Sequence, residues 1–592
     1  MRPQVTAPAV AIIHDDPGDN PSGFVALSVT GSGFGQPQVG SPHATCGSPD
    51  AGTYVELSSD GASLRIAAVD SQVRLWSDTQ VVVTMPRTAP IGRVRLCTQR
   101  GWTPEVAVDS YRYDHFDVPP TAGTNPMPLA LAIDAQHRVW INEEFHRQLK
   151  FFDPLTETFG VLDIPKPPDP GPFAFALDGE GPTQNSQNAE AIIVDPYGRI
   201  WFTQGGGAPY VRRTPDHSRV VAYDPHAAGD RRFRVYNVPG DHNGVYGVAW
   251  DDSRRRVWFT QAARRSPPSL PRDTVWRARL INFDPQTIAT DGHFDFSTTG
   301  TCVTASDGEP LGTCSNAPSR PCLGADDCVL AEWICSRHAT EPRACYRQYE
   351  LPEAAQTFFP AHVAVHPADG SIWYTAYWGG NQLGRLDPDS GAFTLFPLSV
   401  PRAQAACDYS ACTCSTADMN GKCRSCCMDW MFGVAPWDLE VTNAGDVAFT
   451  EYLGGAVGRF RLSELQNPDC MVLDARGQNP CIDEVIVAPP GLRVHSLALD
   501  HAQNVWFTQD GPISDTSART SVGYVLADWS GYVLLPPLSL YPFFNSDGNY
   551  CQTDPQGFVS FTGAGISIDP DTQAIWFADY CRKRLGRLRR VS

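Results

Sequence analysis

Short apolar stretches alternate with turn residues along most of this chain, and the same pattern recurs at intervals. Each copy starts with a short apolar strand, turns at Asp-Pro or another Asx/Gly pair, and continues into a second strand built on Trp and β-branched residues. The copies are LALAIDAQHRVWINE (129–143), EAIIVDPYGRIWFTQ (190–204), YGVAWDDSRRRVWFTQ (246–261), HVAVHPADGSIWYTA (362–376), WDLEVTNAGDVAFTE (437–451), HSLALDHAQNVWFTQ (495–509) and AGISIDPDTQAIWFAD (564–579). A repeat of this kind indicates a repetitive architecture.

Two further strand patterns follow the copies, with one exception at the end of the chain. LGRLDP (383–388) is an example of the third, and the Pro-ended FTLFPLS (393–399) is an example of the fourth. In the third copy, RQYELP (347–352) supplies the fourth strand after a long insertion. Four strands repeated radially predict the blades of a β-propeller.

The last copy ends at RLGRLRRVS without a fourth strand. YDHFDVP (113–119), just before the first copy, has the Pro-ended pattern that is missing there. Pairing of this segment with the last copy would remove two exposed sheet edges. We therefore predict a seven-bladed propeller over 113–592, closed by its N-terminal strand.

Residues 1–112 follow a different pattern. LSVTGSGFGQPQV (27–39), QVRLWSDTQVVVTMP (72–86) and GRVRLCTQRGW (92–102) alternate like strands between Gly/Pro turns. The Gly-x-Gly-Phe phrase at 31–34, the turn at 77–79 and the closing strand at 111–113 resemble the IPT/TIG family of immunoglobulin-like domains. This resemblance implies an immunoglobulin-like β-sandwich before the propeller, so the whole chain is predicted to be all-β.

Composition agrees with an all-β, turn-rich fold and excludes one class of partner. The 592 residues include 50 Gly and 51 Pro, more than long helices tolerate. A formal net charge of -19 argues against nucleic acid, whose phosphates require a basic surface. The basic C-terminal cluster at 582–590 is expected to be a solvated edge.

The chain has 18 cysteines, which favour disulfides and an oxidising compartment. Six lie in each of two insertions, at about 300–346 and 403–430. A Cys-x-Cys and a Cys-x-x-Cys in the second insertion leave zinc as an alternative to three disulfides. Local pairs are predicted between Cys46 and Cys97, Cys470 and Cys481, and Cys551 and Cys581.

These features predict an extracellular or cell-surface protein. The start, MRPQVTAPAV, lacks the apolar core of a secretory leader, so the leader is expected to be absent from this chain or the start to be misplaced. No stretch approaches the roughly 18 to 20 apolar residues of a membrane span.

The phrases DPYGRIWFTQ, NQLGRLDPDSGAFTLFPLS and AIWFADYCRKRLGRL resemble the blades of the virginiamycin B lyase (streptogramin lyase) family. The resemblance implies a seven-bladed propeller and, in members that cleave streptogramins, a Mg-dependent elimination. His495 matches the family's His in the penultimate blade. The last-blade Glu-x-His is replaced here by Thr562-Gly563-Ala564, and Asp579 stands where the family has a further Glu.

The repeats also predict where a ligand would bind. The start of each inner strand and the end of the next strand should face one rim of the central channel, whereas the repeated Trp side chains should pack inside the blades. The first column of rim positions holds Leu129, Glu190, Tyr246, His362, Trp437, His495 and Ala564, and the second holds Glu143, Gln204, Gln261, Ala376, Glu451, Gln509 and Asp579. A purely structural column would be uniformly small or apolar, so these polar side chains predict a site for a polar ligand.

Two functions follow from this rim. The first is a ligand-binding or adhesion-type protein that holds a small molecule, glycan or protein through the rim residues Glu143, Glu190, Gln204, Gln261, Trp437 and Gln509. The second is a metal-assisted C–O lyase acting on a cyclic ester or an acidic polysaccharide. In that case His495 or His362 is the candidate base, Tyr246 the candidate acid, and Glu451, Asp579 and Glu190 the candidate ligands of Mg or Ca.

Overall fold

The computed structural model describes 3–5, 8–14, 24–41, 44–48, 50–120, 126–143, 148–164, 187–188, 191–206, 219–237, 245–262, 278–285, 302–303, 312–314, 317–322, 333–335, 345–352, 359–378, 381–399, 434–487, 493–510, 521–536 and 563–591. In these residues the regular structure consists of β-strands and three short 3-10 helices, Gly229–Arg232, Leu462–Glu464 and Pro468–Met471. The predicted all-β class is confirmed. No helix in this part of the chain is long and apolar enough to cross a membrane.

The N-terminal segment forms two groups of strands around one core. The strands are Gln4–Val5, Ala9–His14, Phe24–Ser32, Tyr54–Ser59, Ala62–Ala67, Val73–Trp76, Gln80–Met85, Arg93–Thr98, Gly101–Trp102 and Val106–Asp117. Alternate residues on strands of both groups, such as Val25, Leu27, Val55 and Leu57, are buried in a shared apolar cluster. Alternation with period two is what places these side chains on one face of each strand.

Six separate sheets of four or five strands follow the repeats along the chain. Their strands, in the order in which they pair, are: sheet 1, Pro128–Ile133, Val139–Glu143, Gln148–Asp153 and Thr158–Asp163; sheet 2, Gln187–Asn188 and Ile192–Val194, both beside Ile200–Gly206, then Arg219–Tyr223 and Phe233–Asn237; sheet 3, Val245–Asp251, Arg256–Gln261, Arg279–Phe283, Cys345–Glu350 and Trp333–Cys335; sheet 4, Phe359–Val365, Ile372–Trp378, Gln382–Leu386 and Phe393–Pro397; sheet 5, Pro436–Val441, Val447–Glu451, Ala456–Phe460 and Ile482–Ile486; sheet 6, Arg493–Leu499, Val505–Asp510, Val522–Val525 and Tyr532–Leu534. The predicted fourth strand of the third copy is confirmed within Cys345–Glu350, which pairs with Arg279–Phe283. The first insertion adds the strands Cys302–Val303, Gly312–Cys314 and Ala317–Cys322.

The last repeat forms three strands that pair with the end of the N-terminal segment. Gly563–Ile568, Ile575–Asp579 and Arg584–Arg590 lie side by side, and Arg584–Arg590 pairs antiparallel with Val106–Asp117. The pairing of the segment around 113–119 with the last repeat is therefore confirmed. Val106–Asp117 also pairs with Ala9–His14, so one strand crosses the boundary expected between 112 and 113.

The chain divides into two compact units. One contains Met1–Val118, Gly455–Gly458 and Asp483–Ser592, and the other contains Pro119–Gly454 and Arg459–Ile482. Within the second unit, the innermost strands of sheets 1 to 5 contact one another in chain order, which is the propeller-like arrangement. Within the first unit, the innermost strand of sheet 6 contacts Gly563–Ile568.

The repeated Trp side chains are buried within the sheets, as predicted. Three of them donate the indole N–H to the Asp of the turn that precedes the second strand. Trp140 donates to Asp134 at 2.8 Å, Trp201 to Asp195 at 2.8 Å and Trp506 to Asp500 at 2.9 Å. The Asp of each of these turns thus stabilises the Trp six positions later, because a buried N–H needs an acceptor.

Two predicted disulfides are confirmed. Cys46 and Cys97 are joined in the N-terminal segment, with Cα atoms 5.7 Å apart. Cys470 and Cys481 are joined near sheet 5, with Cα atoms 5.3 Å apart. Cys581 is disulfide-bonded, while its predicted partner Cys551 lies outside the described residues, as does the second cysteine-rich insertion.

The basic C-terminal cluster is paired with carboxylates, and the expected solvated edge is confirmed only for its end, where Arg589 and Arg590 are exposed while Arg582 and Arg587 are buried. Arg584 lies 2.8 Å from Asp117, Arg590 lies 2.6 Å from Asp109, and Asp114 accepts from both Arg587 and Arg589. Opposite charges alternate across the two strands because Asp109, Asp114 and Asp117 occupy the strand that faces the arginines. These cross-strand ion pairs favour the pairing of the last repeat with this strand.

Candidate functional site

In each sheet whose first strand is described from its beginning, that strand begins with a β-bulge. The bulge contains the first-column residue. In sheets 3, 4, 5 and 6, a regular pair is followed by two residues out of register before pairing resumes. The second-column residue is the partner in the pair before the bulge, as in Pro360 opposite Ala376 and Pro436 opposite Glu451. Bulges redirect side chains away from the regular pleat, so the two columns lie together at this end of each sheet.

In sheets 3 and 4 a Thr side chain fixes the bulge and links it to the next sheet. Thr375 Oγ1 accepts from the backbone N–H of His362 at 3.0 Å and donates to the backbone carbonyl of Trp437 at 2.7 Å. Thr260 repeats this arrangement with Gly247 at 2.9 Å and Ala361 at 3.0 Å. The Thr of the repeated Trp-Phe-Thr phrase is thus explained: its hydroxyl both accepts and donates, and both roles are used.

The second-column side chains are buried rather than solvated. Glu143 forms an ion pair with Lys150 at 2.7 Å, and neither side chain is exposed. Gln204 and Gln261 lie opposite Arg219 and Arg279 in the strand register. These polar groups therefore face cations at the start of the third strand.

Gln509 is also buried, and its amide bonds to the backbone. Its Nε2 donates to the carbonyl of Val487 at 3.1 Å. The side chain is thus held by the chain between sheets 5 and 6.

The three candidate cation ligands are placed differently. Glu190 lies outside the described residues. The carboxylate of Glu451 packs against the turn at Gly454, where an added Cβ would lie 2.4 Å from it. Asp579 is buried 3.6 Å from Arg582 and accepts from the Arg582 backbone N–H at 3.2 Å.

This environment does not fit a Mg or Ca ion at Asp579. The guanidinium of Arg582 already balances the carboxylate charge and occupies space that a cation would need. We therefore assign no chemical step to a bound metal.

His495 and His362 occupy corresponding bulges but have different partners. Nδ1 of His495, in the first unit, lies 3.0 Å from the hydroxyl of the adjacent Ser496. Nδ1 of His362, in the second unit, lies 3.0 Å from Oδ1 of Asp438 in the next sheet. A carboxylate partner orients an imidazole more strongly than a neighbouring hydroxyl does.

The His362–Asp438 pair leaves one ring nitrogen available. Because an ionised carboxylate only accepts, Nδ1 carries a proton, and in the neutral ring Nε2 has the lone pair. Nε2 is buried and has no hydrogen-bond partner among the described residues. Asp438 is itself held by the Leu439 backbone N–H at 2.9 Å, and its own N–H donates to Thr450 at 3.0 Å.

Aromatic side chains surround this pair. The ring of Trp437 lies 5.6 Å from that of His362, and Tyr377 meets Trp437 edge-on at 4.7 Å. Tyr452 lies 6.0 Å from both Trp437 and Tyr377. Tyr246 belongs to the same buried cluster as Trp437, with its hydroxyl buried.

The backbone of sheet 3 approaches His362 closely. A Cβ added to Gly247 would lie 2.7 Å from Cα of His362 and 2.7 Å from the carbonyl of Ala361. Only Gly can approach so closely, because any side chain would clash there. This approach places the bulge at Tyr246 next to the bulge at His362. The structure thus brings together three predicted site residues: Tyr246, His362 and Trp437.

Three members of this site were missed at the sequence level: Asp438, Tyr377 and Tyr452. A signal for Asp438 was present. The position after the first column holds Ala130, Ala191, Gly247, Val363, Asp438, Ser496 and Gly565, and Asp438 is its only charged residue. Tyr377 and Tyr452 each follow a second-column residue, but nothing in the repeat distinguishes them.

The comparisons with known proteins bear on the fold alone. No family model and no curated protein matches the sequence. Among solved structures, the chain is similar to a catalytically inactive variant of virginiamycin B lyase from Staphylococcus aureus with quinupristin, with 14% identity, a TM-score of 0.44, and 81% of this chain and 100% of that chain covered. A streptogramin B lyase structure is similar at 16% identity and a TM-score of 0.42, covering 81% and 98%. At these scores the likeness carries no argument about activity.

Proposed function

We propose that this chain is an extracellular ligand-binding protein that holds its ligand at the cluster of Tyr246, His362, Trp437 and Asp438. The observation that carries the proposal is the state of His362: Nδ1 is fixed by Asp438, whereas Nε2 is buried without a hydrogen-bond partner among the described residues. A buried polar nitrogen without a partner is costly, and a ligand hydroxyl or amide N–H would satisfy it.

The surroundings favour a ligand with hydroxyl groups on an apolar ring, such as a sugar. Trp437, Tyr377 and Tyr452 offer ring faces and edges, and His362 supplies one oriented acceptor. Sites of this composition combine stacking with a few placed polar groups. The buried rim residues Glu143, Gln204, Gln261 and Gln509 would support the strand ends from behind.

The wider organisation of the protein is part of this proposal. We infer seven blades closed by Val106–Asp117, an immunoglobulin-like module before them, and secretion to an oxidising environment. Support comes from the strand pairing with the last repeat, the buried core of the N-terminal strands and the two disulfides. Such a module is suited to adhesion or to spacing the propeller from a surface.

Binding to an array of immobilised glycans, peptides and small molecules tests this function. The parent chain should retain at least one glycan, and His362→Ala should lose it. His501→Ala is the matched control, because it removes an exposed His on a turn. Equal binding by His362→Ala and the parent would place the ligand elsewhere, and retention of peptides alone would contradict the sugar assignment.

The His362–Asp438 pair also favours a second function, a lyase. In an elimination, Nε2 of His362 would take the proton from the carbon beside a carbonyl. The electron pair of that C–H bond would form a C=C bond, and the C–O bond on the next carbon would break as the leaving oxygen departs with its electrons. Tyr246 is the candidate acid for that oxygen, and His495 is a separate candidate base.

Ultraviolet absorbance from new C=C bonds separates the two functions. Polyuronates and a streptogramin B would be incubated with the parent, His362→Ala, His495→Ala and the His501→Ala control. Absorbance that is lost only in His362→Ala would establish the lyase and contradict pure binding. No absorbance change across the panel, with glycan binding intact, would exclude elimination of these substrates.

A further inference from the structure

Sheet 2 contains a cavity beside Trp201 because Ala222 is small. In sheet 1 the equivalent Trp140 lies opposite Phe151, with ring centroids 4.9 Å apart. The residues opposite the repeated Trp in sheets 3, 4 and 6 are Asn282, Arg385 and Tyr524, all larger than Ala. In sheet 2 the small side chain of Ala222 leaves a cavity of about 40 Å³ beside Trp201.

The cavity is lined by an excess of positive charge. Arg199, Arg232 and Arg234 lie around it together with one carboxylate, Asp224. A second carboxylate, Asp195, is bound to Arg199 at 2.6 Å and to Trp201 at 2.8 Å. Asp284 is a third carboxylate near the cavity, close enough to Tyr236 to raise the pKa of its hydroxyl, so the positive excess belongs to the lining itself, where three guanidinium groups meet one carboxylate.

Nη2 of Arg199 is a donor without a partner among the described residues, whereas Nη2 of the equivalent Arg138 in sheet 1 is bonded. There, Nη2 of Arg138 lies 2.7 Å from Asp134 and 3.4 Å from Oε1 of Gln136. In sheet 2, Tyr197 stands at the position of Gln136 and offers no amide acceptor. Nη2 of Arg199 is buried and has no hydrogen-bond partner among the described residues.

A second buried donor lines the same cavity. The hydroxyl of Tyr236 finds no acceptor in the described part of the chain. Burial raises the pKa of Tyr236, so the group stays protonated and able to donate at neutral pH, although Arg234 and Arg199 oppose this shift. Guanidinium and hydroxyl donors that converge without acceptors are complementary to an oxyanion.

We propose that this cavity binds an oxyanionic group, namely a sulfate, phosphate or carboxylate carried by an extracellular polyanion or free in solution. Arg199, Arg234 and Tyr236 donate to its oxygens, and Arg232 adds charge at the mouth. The cavity lies at the start of Ile200–Gly206, whereas Gln204 lies toward the other end of that strand. The proposal therefore does not rest on the function assigned to His362.

Calorimetric titration with inorganic sulfate, inorganic phosphate and acetate at constant ionic strength tests the proposal. Constant ionic strength is needed because salt screens exposed charges. The parent should bind at least one of the three ions, and their ranking shows which oxyanion is preferred. Absence of binding by all three, up to about 50 mM, would contradict the proposal, since a weaker site has no more than about 2 kcal/mol of binding free energy.

Two variants of the full chain locate the binding. Ala222→Phe fills the cavity with the side chain that sheet 1 already carries, and Arg234→Gln removes a donor on an exposed residue; each should raise the dissociation constant at least about tenfold. Arg100→Gln, an exposed arginine in the N-terminal segment, makes the same change in net charge and should leave the constant unchanged. If Ala222→Phe fails to fold, as judged by circular dichroism, Arg234→Gln decides. Parent-like affinity in a folded Ala222→Phe or in Arg234→Gln would overturn the proposal.

Discussion

Thr375 shows how a single side chain positions the candidate site. Its hydroxyl is fully buried and bonds at once to the backbone N–H of His362 and to the backbone carbonyl of Trp437. It therefore fixes the bulge of sheet 4 and the adjoining bulge of sheet 5. The hydroxyl of Thr260 makes the same two hydrogen bonds in sheet 3.

Replacing Thr375 by Val should destabilise the protein by about 1 to 3 kcal/mol, because a buried N–H and a buried carbonyl lose their partner. Thr375→Ser keeps the hydroxyl and should lose less than half as much. Unfolding in urea, followed by tryptophan fluorescence, measures the difference. Equal stability of the Val and Ser variants would show that these hydrogen bonds contribute little.

Asp369 gives a prediction for pH. Burial alone would raise the pKa of Asp369, but hydrogen bonds from Ser371 and Arg385 and the charge of His366 outweigh it and lower the pKa to about 2. The folded state thus holds a proton more weakly than the unfolded state, so stabilisation by this carboxylate is present above about pH 4 and is lost toward pH 2. The gap in melting temperature between parent and Asp369→Asn should shrink as the pH falls below about 4. A gap that stays unchanged down to the acid limit would contradict this assignment.

The pairing of Arg584–Arg590 with Val106–Asp117 is the element that connects the two ends of the sequence. Asp114 lies between Arg587 and Arg589 with its side chain 18% exposed, whereas Asp117 is 75% exposed and faces Arg584. Arg587 also lies over the rings of Phe116 and Trp576. Removal of Asp114 would therefore leave a buried cation without its main carboxylate.

Asp114→Asn should lower the unfolding free energy on the order of 2 kcal/mol, since it affects a partly buried network. Asp117→Asn is the matched control on the same strand and should cost less than about 1 kcal/mol, because its ion pair is exposed. Urea unfolding at low salt measures both variants. Equal effects would mean that burial does not govern these ion pairs.

The sequence predicted those parts of the fold that repetition makes visible. The Trp positions, the fourth strand at 347–352 and the partner of the last repeat recur often enough for their roles to be compared between copies. The burial of the rim was not predictable in this way, because Glu143 is neutralised by Lys150 on the following strand and that contact depends on register. The His362–Asp438 pair likewise joins two sheets. Its only signal in the sequence was the charge of Asp438, at a position where the other copies have a small or apolar residue or Ser.

At the scale of the whole molecule, the N-terminal strands belong to the compact unit that contains sheet 6 and the last repeat. Val10, Ile12, Tyr111 and Tyr113 share one buried cluster with residues of sheet 6, including Trp506. Burial raises the pKa of Tyr111 to about 12, in agreement with its packing edge-on against Trp506 at 5.9 Å. The N-terminal strands are therefore a structural part of this unit, in addition to any role in adhesion.

A crystal structure of the complex would show whether a ligand satisfies Nε2 of His362. The glycan selected on the array would be co-crystallised with the parent chain. We predict a ligand oxygen or nitrogen within about 3.2 Å of Nε2 of His362, with Nδ1 still paired to Asp438 and the ligand ring against Trp437 or Tyr377. A bound ligand that leaves Nε2 of His362 without a partner, or that occupies another part of the molecule, would show that His362 does not hold the ligand.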